Sequence, residues 1–119
     1  MKIEFCKRVN GKGLFSTEKY NKGDIIYILK GPIKNKPDKY SIEIGLDQHI
    51  TDEFGIYMNH SFEPSTRIDG KKVIAVRTIN INDELNFNYN ESETNMANPF
   101  ETEQGYVGGS SVKSELLLT

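Results

Sequence analysis

Short stretches of alternating apolar and polar residues, separated by turn residues, run along the first ninety positions of the chain. Residues 1–9, 40–44 and 85–89 alternate in this way, which is typical of strands with one buried face. Residues 25–29 instead form a continuous apolar run rich in β-branched residues, which predicts a buried strand. The Pro-, Gly- and Lys-rich residues 30–39 predict an exposed loop.

Turn signals divide these stretches into hairpins. Asn10-Gly11 is a favoured hairpin turn, and Asp69-Gly70 is a second one between residues 66–68 and 73–76. Residues 53–58 predict one short helical turn, and the chain has no long amphipathic pattern. The pattern therefore predicts a mainly β fold with seven or eight short strands.

Length and composition limit the class of protein. The 119 residues, 36% of them hydrophobic and 12 of them aromatic, are enough for one globular domain but not for two independent cores. The chain has no apolar run near the ~20 residues that span a bilayer, and its start does not resemble a signal peptide. Cys6 is the only cysteine, which excludes an internal disulfide and a cysteine-rich zinc site. We therefore expect an intracellular protein that is not associated with a membrane.

The charges are unevenly distributed along the chain. Residues 1–50 have ten basic and six acidic residues, whereas residues 51–119 have five basic and eleven acidic ones. With a pI of about 5.7, the chain lacks the strongly basic character of a nucleic-acid-binding domain. The six acids between Asp83 and Glu103 suit a cationic partner, although acids also simply keep a small protein in solution.

Candidate chemistry is concentrated in a few motifs. The sequence has no phosphate-binding loop and no serine nucleophile elbow. Two histidines, His49 and His60, are too few for most histidine-based metal sites, so no metal site is predicted. Residues 59–64 (NHSFEP) form a polar cluster that needs partners if it is buried. Taken alone, this cluster is better explained as an exposed turn.

The order of motifs adds a resemblance. Gly-Lys-Gly-Leu-Phe at 11–15 is followed by Asn59-His60-Ser61 with Pro64, and then by Asp83-Glu84-Leu85-Asn86-Phe87-Asn88-Tyr89. In this order and at this separation, the motifs resemble the SET-domain family of protein lysine methyltransferases. The resemblance covers roughly residues 2–100.

The resemblance implies a SET-domain-like assembly of small β-sheets with a pseudoknot-like crossing near the C-terminus. The domain would span residues 1–100, and residues 101–119 would form a tail that is flexible or becomes ordered on ligand binding. The implied cofactor is S-adenosylmethionine, and the implied partner is a basic, histone-like protein with an exposed lysine. Carried over by position, the resemblance assigns cofactor binding to Gly11, Lys12, Gly13, Leu14, Asn59, His60 and Phe100.

The resemblance also assigns the reacting groups. Tyr89 matches the family's catalytic tyrosine, which would orient the neutral lysine amine for in-line methyl transfer. Phe87 matches the position that sets the product state, and a Phe there implies di- or trimethylation. Tyr57 and Tyr40 are candidates for the wall of the lysine channel. For Phe87, Tyr89 and Tyr57, ordinary core packing remains an alternative, although for Tyr89 the matched motif favours catalysis.

Several positions depart from the family pattern. Phe62 stands where the family often has Cys, Ser65 where it often has Asn, and Asn82 where it often has Gly. Residues 99–109 lack the cysteines that commonly complete the pocket with zinc in this family. Phe100 is the best candidate to cover the adenine ring instead, and pairing of two chains into a homodimer is a further way to close the channel.

Two other functions stay open. One is a catalytically inactive SET-like module that binds a basic peptide or a partner protein. The other is a small β-barrel-like interaction domain in which Asn59-His60-Ser61 is only a turn.

Overall fold

The structure, a computed structural model, describes residues 1–93, 100–102 and 105–107, with backbone only for 100–102 and for 106. The described part is mainly β, as predicted. Its strands are β1 (Lys2–Cys6), β2 (Gly11–Phe15), β3 (Ile25–Ile28), β4 (Ile33–Lys34), β5 (Ile42–Gly45), β6 (Gln48–Ile50), β7 (Thr66–Asp69), β8 (Lys72–Ala75), β9 (Phe100–Thr102) and β10 (Gly105–Val107). A 3-10 turn spans Gly55–Tyr57, and one short helix, α1, spans Tyr89–Ser92.

In the described residues the strands form four small antiparallel sheets, ordered β1-β2, β3-β8-β7, β4-β6-β5 and β10-β9. The two predicted hairpins are confirmed: β1 pairs with β2 and β7 pairs with β8. Asn10 and Gly70 have φ values of 51° and 58°, the left-handed conformation that Asn and Gly adopt most readily in tight turns.

The core lies between the sheets. Leu14 of β2 and Val73 of β8 are each only 1% exposed. They belong to one buried cluster with Leu29, Ile42, Ile50, Met58, Ala75, Ile79, Leu85 and Phe87. The sheets β1-β2, β3-β8-β7 and β4-β6-β5 all contribute to this cluster, so these three sheets share one core.

The prediction of a buried strand at residues 25–29 is wrong in part. The strand exists, but Ile25 is 51% exposed and Ile28 is 41% exposed. β3 is the outer strand of the sheet β3-β8-β7, and its register shifts between Ile25 and Tyr27. An edge strand with a bulge leaves part of its apolar surface exposed, which a run of apolar residues does not reveal.

Three further predictions need correction. Residues 30–39 are not wholly a loop, because β4 lies within them. Residues 85–89 do not form a regular strand, and Tyr89, the last residue of that predicted strand, begins α1. Residues 105–107, predicted to be flexible, form β10, and Val107 is fully buried. Residues 108–119 lie outside the described residues.

Among the described residues, no helix combines the length and apolar character needed to cross a membrane.

Candidate functional site

Strand β2 is joined to the Asn-His-Ser segment by the side chain of Asn59. Its amide nitrogen Nδ2 donates hydrogen bonds to the carbonyl oxygen of Lys12, at 3.0 Å, and to the carboxylate of Glu84, at 3.1 Å. These bonds fix the Gly11–Leu14 backbone against residue 59. Three segments that are far apart in sequence therefore meet at one amide group.

The two glycines of β2 have different surroundings. A Cβ on Gly13 would lie 3.1 Å from Asn59 Nδ2 and 3.1 Å from the Cβ of Cys6, which is closer than ordinary contact. A Cβ on Gly11 would meet nothing closer than the carbonyl oxygen of Val9, at 3.9 Å. The close approach at Gly13 is thus to this chain's own side chains, whereas no atom of the described residues crowds the space beside Gly11.

The Asn-His-Ser segment runs alongside the segment that ends at Tyr89. Phe87 donates its backbone N–H to the Asn59 carbonyl, at 3.3 Å, and accepts from the Ser61 N–H, at 3.0 Å. His60 and Phe87 form a parallel bridge. The two segments thus hydrogen-bond on both sides of His60, and this pairing explains why residues 85–89 alternate without forming a regular strand.

The phenol of Tyr89 is held in a defined position. Its hydroxyl donates a hydrogen bond to the Met58 carbonyl, at 2.5 Å, and its backbone N–H donates to His60 Nδ1, at 3.1 Å. Burial, together with the nearby carboxylates of Glu93 and Glu84, raises the pKa of Tyr89 well above its usual value of 10. The phenol is therefore neutral near pH 7 and does not act as a base there.

His60 is neutral near pH 7 for a related reason. It is 8% exposed, and burial, with the charge of Arg8 as a smaller cause, lowers the pKa of His60 to about 4. Its Nδ1 accepts from Tyr89, so the neutral imidazole must present the unprotonated Nδ1 on that side. His60 orients the backbone of Tyr89 instead of carrying a charge.

Arg8 and Glu84 were not predicted as site residues. Arg8 binds the Glu84 carboxylate through Nε and NH2, both at 3.1 Å, and its NH1 donates to the His60 carbonyl at 3.0 Å. The Glu84 side chain is 13% exposed and also accepts from Asn59. Arg8 is one of only three arginines in a lysine-rich chain. Since arginine binds a carboxylate through two nitrogens at once, its presence at position 8 is the one feature of the sequence that could have indicated this ion pair.

Aromatic rings surround this group. The Tyr89 ring centroid lies 4.7 Å from that of Phe87 and 5.2 Å from that of His60, and the Phe62 ring lies 4.3 Å from His60. A Cβ on Gly105 would lie 3.7 Å from Phe62, so the β9–β10 hairpin comes close to this ring.

The remaining predicted residues occupy different places. Tyr57 is half-buried, and Lys12 Nζ lies 5.9 Å from its ring centroid, so Tyr57 is next to β2. Phe100 is in β9, but its side chain lies outside the described residues. Tyr40 is 55% exposed, and its ring lies 5.5 Å from Lys39 Nζ.

The structure thus brings β2, Tyr57, Asn59, His60, Phe87 and Tyr89 into one neighbourhood. The donors and acceptors there are backbone groups, the Asn59 amide, the neutral His60 imidazole, the phenols of Tyr57 and Tyr89, and the paired Arg8 and Glu84. Such a set can bind and orient a ligand and keep water out, but it offers no strong base near pH 7. Comparisons of this chain with protein-family models and with curated proteins found no match.

Proposed function

We propose that this chain is a SET-like, S-adenosylmethionine-dependent protein lysine N-methyltransferase in which Tyr89 is the catalytic residue. The observation that carries the proposal is the pairing of residues 59–61 with Phe87 beside β2. This pairing joins three motifs whose order in the sequence resembles the SET family.

The residues fit the proposed cofactor by their chemistry. Among the described residues, no atom crowds the space beside Gly11, so another molecule has room next to the β2 backbone. Tyr57 lies next to Lys12 of the same strand. When bound, S-adenosylmethionine would supply a methyl group on a sulfonium sulfur, which keeps the bonding electrons and becomes a neutral thioether. Gly11 to Leu14, Asn59, His60 and Phe100 are the residues proposed to hold it.

Tyr89 would act through its neutral hydroxyl. The hydroxyl proton is donated to Met58, so the hydroxyl would meet a substrate amine as an acceptor, through an oxygen lone pair. A lysine amine has a pKa near 10.4 in water and must lose a proton to solvent before its nitrogen can form the new bond to carbon. A desolvated site favours this loss. Holding the amine in line with the methyl group then supplies much of the rate increase.

The acidic half of the chain suits a basic substrate. Residues 51–119 have six more acidic than basic residues, and Glu91 of α1 is exposed close to Tyr89. Negative charge near the proposed channel would attract a Lys- and Arg-rich segment of a partner protein. The substrate class that we propose is therefore a basic protein segment with an exposed lysine.

The first test is calorimetric titration of the full chain with S-adenosylhomocysteine, followed by methyl transfer from labelled S-adenosylmethionine to histones and to basic peptides. We expect one-to-one binding and labelled lysine. Tyr89→Phe should keep binding of S-adenosylhomocysteine but lose methyl transfer by a factor on the order of 100 or more.

Tyr27→Phe is the matched control. Tyr27 is also half-buried, and its hydroxyl also donates to a single acceptor, Asp52, at 2.8 Å. This variant should transfer methyl groups like the parent. Undiminished transfer by Tyr89→Phe would refute the catalytic role. Binding of a basic peptide without cofactor binding or methylated product would favour the inactive module instead.

A further inference from the structure

A second group of chemically active side chains lies where β5, β6 and the end of α1 meet. Glu43 of β5 stands directly opposite His49 of β6 in the antiparallel register, and Glu93 follows α1. One ligand atom from each of the three residues lies within 4.8 Å of the other two. This cluster is separate from the residues assigned to methyl transfer.

Within the described residues, His49 has a buried ring nitrogen that lacks a partner. It is 4% exposed, and its Nδ1 is buried without a hydrogen-bond partner among the described residues. Its Nε2 lies 3.9 Å from Glu43 Oε1, which is beyond hydrogen-bonding distance. Because buried polar atoms nearly always have a partner, the unpartnered Nδ1 leaves this imidazole with binding capacity that the described residues do not use, and the ring nitrogen on the Glu43 side is Nε2.

The two carboxylates add negative charge to the cluster. Glu93 is 6% exposed and Glu43 is half-buried, so two negative groups approach each other away from water. Such a pair is unfavourable unless a proton or a cation lies between the groups. Glu93 Oε2 accepts the backbone N–H of Glu43 at 2.8 Å, which fixes the direction of this carboxylate as outer hydrogen bonds do in metal sites.

We propose that Glu43, His49 and Glu93 bind a divalent first-row transition-metal ion, with Zn²⁺ as the reference ion. An imidazole and two carboxylates suit Zn²⁺ and its neighbours, whereas Mg²⁺ and Ca²⁺ prefer oxygen ligands alone. The three atoms lie at most 4.8 Å from one another, so an ion placed between them is at most about 2.8 Å from each, and each ligand must move by no more than about 0.7 Å to reach the bond lengths of zinc. Side-chain rotation can supply that movement.

The surroundings permit a cation. Lys34 of β4 is paired with His49 in the sheet, but its side chain is 66% exposed and its Nζ lies 3.9 Å from Asp38. Its charge is therefore directed to solvent and to another carboxylate. The sequence predicted no metal site because the chain has two histidines, yet one histidine with two carboxylates gives three ligands.

A bound ion would tie the chain just after Tyr89 to the β4-β6-β5 sheet. Glu93 is four residues beyond Tyr89, and the backbone N–H of Glu93 donates to the Tyr89 carbonyl at 2.8 Å. The metal would thus limit the movement of α1, whatever reaction Tyr89 serves. This inference does not depend on the proposed methyl transfer.

The test is titration of the chelator-treated, tag-free full chain with Zn²⁺, followed by calorimetry, and with Co²⁺, followed by visible spectroscopy. We expect one ion per chain. The Co²⁺ complex should show d–d bands without a thiolate charge-transfer band, and Mg²⁺ should not compete. In the parent protein the ring-nitrogen NMR signals of His49 should shift on Zn²⁺ addition while those of His60 do not.

Glu43→Gln and Glu93→Gln should each weaken Zn²⁺ binding at least about 100-fold. Gln at position 93 keeps an oxygen for the Glu43 N–H, so the fold should survive, which circular dichroism checks. Two control variants should bind Zn²⁺ like the parent protein. Glu53→Gln changes an exposed carboxylate outside the cluster, and Cys6→Ala removes the only thiol. Absence of saturable binding, a shift at His60 in place of His49, or loss of binding in Cys6→Ala would overturn the proposal.

Discussion

Gly13 and Gly11 provide a direct comparison of two positions in one strand. We expect Gly13→Ala to lower the free energy of unfolding by about 1–3 kcal/mol, because its Cβ would displace the Asn59 amide or Cys6. It should also weaken binding of S-adenosylhomocysteine, since Asn59 is one of the residues proposed to hold it. Gly11→Ala, which meets no close atom, should fold like the parent. Urea unfolding of both variants measures the difference; equal stability would contradict the packing argument.

Asp52 lies outside the candidate site and is hydrogen-bonded to several groups. Its carboxylate is 1% exposed and accepts four hydrogen bonds at 2.7–2.8 Å, from the Tyr27 hydroxyl and from three backbone N–H groups, including those that begin the 3-10 turn before Met58. Asp52→Ala leaves these donors unsatisfied and should lower the free energy of unfolding by about 3 kcal/mol. Asp52→Asn should lose less because one acceptor oxygen remains.

The control for Asp52 is its exposed neighbour Glu53. Glu53→Ala should change stability by less than about 0.5 kcal/mol. If chemical denaturation gives the same loss for Asp52→Ala and Glu53→Ala, the network assigned to Asp52 does not stabilise the fold.

The sequence predicts site residues that stand in short motifs, but not residues that join them. Asn59, His60 and Tyr89 were identifiable because their neighbours form patterns. Arg8 and Glu84 are 76 positions apart, and their two-pronged contact follows from how β1 and the segment before Leu85 are brought together. Similarly, nothing local links Glu93 to His49; their proximity results from the fold.

Secondary structure was predictable where the turn itself is coded in the sequence. The β1–β2 and β7–β8 hairpins turn beside Asn10-Gly11 and Asp69-Gly70, where Asn10 and Gly70 adopt the left-handed conformation; the turns themselves are residues 7–10 and 70–71. The position of β3 at a sheet edge was not predictable, since an apolar run has the same composition in a central strand and in a bulged edge strand.

The edge position of β3 gives a prediction for two consecutive residues. Ile28 is 41% exposed, whereas Leu29, just after the strand, is 1% exposed and belongs to the core. Leu29→Ala should lower the free energy of unfolding by about 2–5 kcal/mol, because it leaves a cavity. Ile28→Ala should change it by less than about 1 kcal/mol. Thermal or urea unfolding of the two variants measures the difference in stability. A larger loss of stability for Ile28→Ala than for Leu29→Ala would contradict the exposed edge position of β3.

For the molecule as a whole, two buried groups make opposite contributions to stability as the pH changes. The pKa of His60 is lowered by burial to about 4 from 6.5, so protonation of the unfolded chain lowers stability as the pH falls from 6.5 to 4. The pKa of Glu93 is raised by burial to about 7 from 4.5, because the effect of burial exceeds that of its hydrogen bond from Glu43. Ionisation of the unfolded chain therefore lowers stability as the pH rises from 4.5 to 7.

Because the two contributions oppose each other between pH 4.5 and 6.5, each is hidden in the parent protein and becomes visible when the other group is removed. Relative to the parent, His60→Gln should lose stability as the pH rises through this range, and Glu93→Gln should gain it, each by about 2–3 kcal/mol in total. Denaturant unfolding at several pH values, with a chelator present, measures both slopes. Each variant is compared with the parent, so contributions from the other carboxylates cancel. Parallel curves of stability against pH for all three proteins would mean that neither group has a different pKa in the folded and unfolded chain. Stability differences from the parent that change with pH in opposite directions for the two variants would show that both buried groups are uncharged in the folded state at pH 5–6.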